Sequence, residues 1–207
     1  RAQAFAEAYN NRKPKADVSV SGGGSTLGIT ALINGNTDIA SASRPLYPKE
    51  YQQAKARGFV PTLNRVAKDG LTVVVHPSNP VKSLTMAQIG AIYSGQVSNW
   101  KQVGGPDRRI TVTGRDSSSG TYGFFRDTLF PGRPYRSDML TMPSTNAISL
   151  AVSRDAGAIG YIGLAFYERW AGKVKELGVA KDAKSAPVQS TARTVADGSY
   201  PLFRYLY

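Results

Sequence analysis

The chain has 207 residues, 41% hydrophobic and 19% charged, which suits one large domain or two lobes and describes a globular protein. It contains no cysteine and a single histidine, His76, which excludes disulfides, thiolate metal sites and a cysteine nucleophile and leaves any zinc site to carboxylates. The 26 Lys and Arg against 14 Asp and Glu give a formal charge of +12, but no basic run of five or more forms and no RNA-binding or zinc-finger signature accompanies them, so nucleic acid is not expected as a partner.

In chain order, residues 1–9 open in a helix, with apolar side chains at positions 2, 4, 5, 6, 8 and 9 and no breaker. Val18-Ser19-Val20 reads as a short strand, and a helix follows from Thr26 to about Asn34 with apolar residues at 27, 29, 32 and 33. Residues 37–43 read as a short buried strand leading to Arg44-Pro45-Leu46, and residues 49–58 as a polar helix stopped by glycine. Residues 70–76 are the strongest strand, a continuous apolar run of the kind buried on both faces of a parallel sheet, ended by Pro77 and Pro80. A helix over 85–93 closes at Ser94-Gly95, and Ile110-Thr111-Val112-Thr113 alternates as a strand before a helical run over 122–129. Residues 144–152 make a further helix and 157–162 another buried strand. Strands alternating with helices predict an α/β chain with mainly parallel pairing. No apolar run approaches the ~20 residues that a membrane span requires.

Two turns carry the chemistry. Gly114-Arg115-Asp116-Ser117-Ser118-Ser119-Gly120-Thr121 places one cation and four hydroxyls between a strand and a helix start. One of Ser117, Ser118 and Ser119 can cap that helix, whose first N–H groups lack intrahelical partners and face an oxyanion held at the positive end of the dipole. Arg115 adds a planar fork that matches phosphate or carboxylate oxygens. The turn Ser21-Gly22-Gly23-Gly24-Ser25-Thr26 has the same design, its glycines allowing close backbone approach. Neither turn is a nucleotide motif: the first lacks the lysine of G-x-x-x-x-G-K-[ST], and Leu27 stands where G-x-G-x-x-G requires its last glycine. Ligands of open α/β sheets bind beyond strand carboxyl ends, where both turns are expected.

The motifs Ser21-Gly22-Gly23-Gly24-Ser25, Asp38-Ile39-Ala40-Ser41-Ala42-Ser43-Arg44-Pro45-Leu46, Val73-Val74-Val75-His76-Pro77-Ser78-Asn79-Pro80, Ile92-Tyr93-Ser94-Gly95 to Asn99-Trp100, Arg115 through Thr121 and Gly157-Ala158-Ile159-Gly160-Tyr161 occur in this order. With them, nearly the whole chain resembles the phosphate-binding proteins of ABC-type phosphate importers, a branch of the type 2 periplasmic binding proteins. The resemblance implies a two-lobed fold with the ligand between lobes: residues 1–72, joined by 199–207, as an incomplete first lobe, and 73–198 as the second. It implies phosphate ligands at Ser25, Ser43, Arg115, Ser119, Gly120 and Thr121, no catalytic residue, no cofactor and no metal. Ser43 stands where some members place an aspartate that accepts the proton of hydrogen phosphate, and Arg44 beside it either adds a charge or pairs with a carboxylate. The expected partners are inorganic phosphate and a membrane permease, with the protein a monomer in a periplasmic or extracellular location, free or anchored through residues upstream of Arg1. The family begins with a further strand and a threonine-containing loop and continues past Tyr207, so the chain is expected to be truncated at both ends. Other oxyanions (sulfate, molybdate, tungstate) are the nearest alternative. A serine hydrolase or phosphatase is more distant, since Ser98-x-x-Lys101 has no Ser-Asp-Asn or Lys-Thr-Gly partner and no histidine stands ready as base.

Overall fold

The structure, a computed structural model, describes residues 2–207. Its sheet is organised on one strand, β1 (Ala67–Val75). The β-branched run Val73-Val74-Val75 favours extended backbone, and its side chains alternate between two apolar layers. Leu71, Val73 and Val75 join the main core with α4 (Met86–Tyr93) and α5 (Gly120–Leu129), whereas Val74 faces α6 (Thr145–Arg154) through Ile148 and Val152. Both faces are therefore covered, as the unbroken apolar run requires.

Strand direction differs from expectation. The sheet runs β2 (Ser83–Thr85), β6 (Lys175–Ala180), β1, β5 (Ala158–Gly163), β3 (Thr111–Arg115), β4 (Leu140–Met142), with β7 (Phe203–Leu206) pairing β1 off this path. Pairings β2·β6, β3·β4 and β3·β5 are parallel, but β1 is antiparallel to β5, β6 and β7, so the sheet is mixed rather than mainly parallel. A continuous apolar run reports burial on both faces and contains no signal of direction. The α/β class stands, with a central sheet flanked by helices.

Along its length β1 changes partners. Ala67 to Gly70 pair with Leu206 to Phe203, while Leu71 to Val75 pair with Gly163 to Ile159. Asp69 consequently lies directly opposite Arg204.

Residues 2–66 contain α1 (Ala2–Arg12), α2 (Ser25–Ile33) and α3 (Pro48–Ala56). The strands expected at 18–20 and 37–43 do not form ladders. Val18 exchanges hydrogen bonds with the Asn10 side chain, and in the second segment Ala42 exchanges two backbone bonds with Tyr207 while Ile39 is 80% exposed. Local β-branching without a neighbouring edge to pair with does not make a strand. A small separate cluster, Ile29, Ile33, Ala42 and Ala54 with Leu46 and Phe59, anchors this region. The last two helices are α7 (Leu164–Trp170) and α8 (Ala192–Asp197).

Beneath the turn between β3 and α5 sits an aromatic cluster. Phe125 stacks on Tyr161 with ring centroids 4.0 Å apart and meets Tyr93 edge-on at 4.7 Å. The buried phenols are not orphaned: Tyr93 donates to the Thr113 carbonyl at 3.2 Å and Tyr135 to the Tyr122 carbonyl at 2.9 Å. Truncating Phe125, which is wholly buried in this cluster, to alanine is expected to lower unfolding free energy by about 3–5 kcal/mol, measured by urea titration followed by circular dichroism.

Candidate functional site

At the carboxyl end of β3 the chain turns through Asp116, whose Oδ1 accepts the Ser118 N–H at 2.8 Å and also the Ser118 hydroxyl. Those bonds, the hydroxyl first, hold the Asp116 carboxyl below its ordinary range, so it stays an acceptor that shapes the turn. Ser119 is the capping serine of the three: its Oγ accepts the Thr121 N–H at 3.2 Å, and the Gly120 amide opens α5 with no intrahelical acceptor.

Arg115 ends β3. Its backbone N–H donates to the Tyr161 hydroxyl at 3.1 Å, tying the residue to the aromatic cluster. Burial pushes the Tyr161 phenol upward, so it remains neutral and keeps a lone pair for that bond. The guanidinium lies beside Asp116 at 3.8 Å, too far for a strong hydrogen bond, and its Nε is the one buried side-chain nitrogen or oxygen without a partner among the described residues.

The second turn meets the first. Ser25 begins α2 and is 9% exposed; its Oγ accepts the Ser43 N–H at 3.1 Å and lies 3.2 Å from Ser43 Oγ. Thr26 donates its N–H to the Ser118 carbonyl at 3.2 Å and its hydroxyl to the Ser117 carbonyl at 3.3 Å. Two glycines make the approach possible. A Cβ on Gly120 would overlap Ser25 Oγ and lie 2.7 Å from Ser43 Oγ, and one on Gly24 would overlap the Ser118 carbonyl, whose carbon would be 2.6 Å away. The N-termini of α2 and α5 thus converge on a common point, and Arg115 lies on the turn that leads into α5. Each terminus carries roughly half a positive charge, so their meeting point favours an anion.

The structure brings together Ser25, Ser43 and Gly120 directly, and Ser119, Thr121 and Arg115 lie on the same turn as Gly120. Arg44 does not add a free charge: its fork is spent on Glu50 at 2.7 and 2.8 Å, and it also donates to Thr26 Oγ1 at 3.4 Å. Burial opposes the Glu50 charge, but the Arg44 fork and the Tyr47 amide outweigh it and hold that carboxyl below its usual range. His76 closes a local turn, its Nδ1 within 2.7 Å of Ser78 Oγ, and Lys101 pairs with Asp107 at 3.0 Å.

Sequence reasoning missed Arg204. Its side chain is buried, Nε and Nη2 donate to Asp69 at 3.1 and 2.9 Å, and Nη1 donates to Thr121 Oγ1 at 2.9 Å. Burial alone would draw its proton off more readily, and Asp69 counters that. The available signal was a charge inside the alternating run Phe203-Arg204-Tyr205-Leu206, but its inward phase depends on pairing with β1.

A family profile described as the PBP superfamily domain matches residues 2–207. Protein SphX of Synechococcus elongatus is 34% identical over 212 residues, covering 99% of this chain and 63% of its own length. A phosphate-binding protein PstS of Staphylococcus epidermidis is 34% identical over 200 residues, covering 94% of this chain and 61% of its own. The chain therefore spans less than two thirds of the length of these curated relatives. Among solved structures, a Clostridium perfringens protein with bound phosphate superposes with a TM-score of 0.79 at 31% identity, covering 99% of this chain and 78% of that one. An ABC-type phosphate transport receptor from Vibrio cholerae gives 0.78 at 33% identity, with 99% and 80% covered.

The contact between turns supplies a test independent of any ligand. Gly120→Ala forces the N-terminus of α5 off Ser25 and Ser43, and a urea titration is expected to show a loss of about 1–3 kcal/mol. Gly22→Ala, which meets nothing within 4 Å, is expected to stay within about 0.5 kcal/mol of the parent.

Proposed function

This chain belongs to the PBP superfamily domain family, and on that premise we propose that it captures inorganic phosphate, passes it to the membrane permease of an ABC importer and performs no chemical reaction. The observation that carries the reading is the convergence of two helix N-termini next to the turn that bears Arg115, whose buried Nε has no partner among the described residues. In this reading Arg115 supplies the charged fork, Gly120 its unpaired amide, and Ser25, Ser119 and Thr121 their hydroxyl protons to a tetrahedral oxyanion. The relatives named phosphate-binding protein and the phosphate-bound neighbour support phosphate as that anion.

Ser43 takes the role of proton acceptor. Its hydroxyl oxygen has lone pairs that can receive the proton of hydrogen phosphate, a proton that sulfate lacks at neutral pH. Sulfate or another oxyanion is the second reading, because a serine can also donate. Hydrolysis by the serines is the more distant reading, since His76 is engaged by Ser78 and Lys101 by Asp107.

We further take residues 1–72 with 199–207 as one lobe and 73–198 as the other, so that each lobe contributes one turn. The separate apolar cluster around Ile29 and the pairing of Tyr207 with Ala42 support this division. A periplasmic or extracellular location and a monomeric state complete the proposal. No helix among the described residues is long and apolar enough to cross a membrane.

Calorimetric titration of phosphate into the full-length protein, with sulfate as competitor and beside an Arg115→Ala variant, tests the proposal. Phosphate-selective binding is expected, weakened in the variant by about 1.5–3 kcal/mol, roughly tenfold to a hundredfold. Sulfate-selective binding, or none by the full-length protein, overturns it.

A further inference from the structure

Three hydroxyls of the proposed anion site share one arrangement: each oxygen already accepts an N–H. Ser25 Oγ accepts the Ser43 amide at 3.1 Å, Ser119 Oγ the Thr121 amide at 3.2 Å, and Thr121 Oγ1 the Arg204 guanidinium at 2.9 Å. A hydroxyl has one proton and two lone pairs, so an N–H donor seated on the oxygen turns the proton away from itself. At Ser119 and Thr121 that proton is then what the group presents to a ligand, while Ser25 also has Ser43 Oγ at 3.2 Å. At Ser25 and Ser119 the donor is backbone. At Thr121 alone it is a side chain, and it comes from a strand 83 residues further along the chain.

Arg204 is built to hold that direction. It faces Asp69 across the register of β1 and β7, with Nε and Nη2 both donating to Asp69 Oδ2 at 3.1 and 2.9 Å. The fork leaves Nη1 to donate to Thr121 Oγ1 at 2.9 Å and, at the longer distance of 3.5 Å, to the Ser43 carbonyl; the side chain is 8% exposed, so water does not compete freely for the shorter bond. Asp69 also offsets the charge, so Arg204 acts on the site through direction rather than as a second cation.

We propose that Arg204, fixed by Asp69, is a positioning residue that sets the Thr121 hydroxyl as a donor to the bound oxyanion. The proposal rests on the phosphate-binding reading of the site.

A double-mutant cycle on the full-length protein tests it, read as phosphate affinity by calorimetry. Arg204→Lys keeps the charge for Asp69 but loses the fork, and is expected to weaken phosphate binding about tenfold when Thr121 is present. In a Thr121→Val background, which lacks the hydroxyl, the same Arg204→Lys change is expected to alter affinity by less than about twofold. A merely structural role would weaken binding equally in both backgrounds, and that result, or no effect in either, overturns the proposal. Should Arg204→Lys fail to fold, Asp69→Asn, which frees the guanidinium to turn, carries the same comparison. A wild-type protein that binds no phosphate removes the site reading itself, whereas binding with an additive cycle removes this inference alone.

Discussion

The constraint on which the rest depends is the contact of two helix N-termini through glycine. Helix ends of like polarity repel, and the repulsion is felt over about one turn. Here α2 and α5 approach until Gly120 touches the hydroxyls of Ser25 and Ser43 and Gly24 touches the Ser118 carbonyl, a spacing that no residue with a Cβ permits. Arg115 adds a full positive charge on the same turn, and its neighbour Asp116 is drawn off into bonds with Ser118. In the proposed function this positive potential has a ligand: an oxyanion between the two helix ends would favour their approach.

Holding this arrangement requires a rigid support, which the aromatic cluster and β1 provide. Tyr161 lies on β5, next to β1, and its hydroxyl receives the Arg115 backbone N–H. Phe125, on α5, stacks against the same ring, so helix and arginine are referenced to one side chain. On the other flank Asp69, also on β1, fixes Arg204 against Thr121. The two lines of support end on the paired strands β5 and β1, whose displacement is costly because apolar contacts on two faces would be lost together.

Legibility in the sequence divides by range. The turns, their serines and glycines and the capping role at 117–119 depend on neighbours within a few residues, and their chemistry was readable. So were α2, α5 and β1, whose periodicity is set by burial. Strand direction was not readable, since β1 carries the same apolar run whichever way its neighbours point. The segments at 18–20 and 37–43 misled for a related reason: Val18, Val20 and Ile39 have strand composition, but a ladder depends on what lies beside it. Arg204 lay beyond reach because its burial, its counter-charge and its target all follow from pairing between residues 135 positions apart. Arg44 was readable only as an alternative, and the fork on Glu50 decides it in favour of a local ion pair.

The contacts that span the two turns are few and polar. Thr26 reaches Ser117 and Ser118, and Tyr47 donates to Asp127 at 2.8 Å beneath Gly123. Each such bond contributes about 0.5–1.5 kcal/mol net, and exposed ones tend to the lower end. The meeting of two helix ends near an arginine opposes these contacts electrostatically. An oxyanion changes the sign of the electrostatic part and adds charge-assisted bonds from both turns, which favours approach by far more than any one protein contact does. In the proposed role of capture and delivery, weak bridging contacts would leave closure dependent on the ligand, because a site that closed firmly by itself would gain little from binding it.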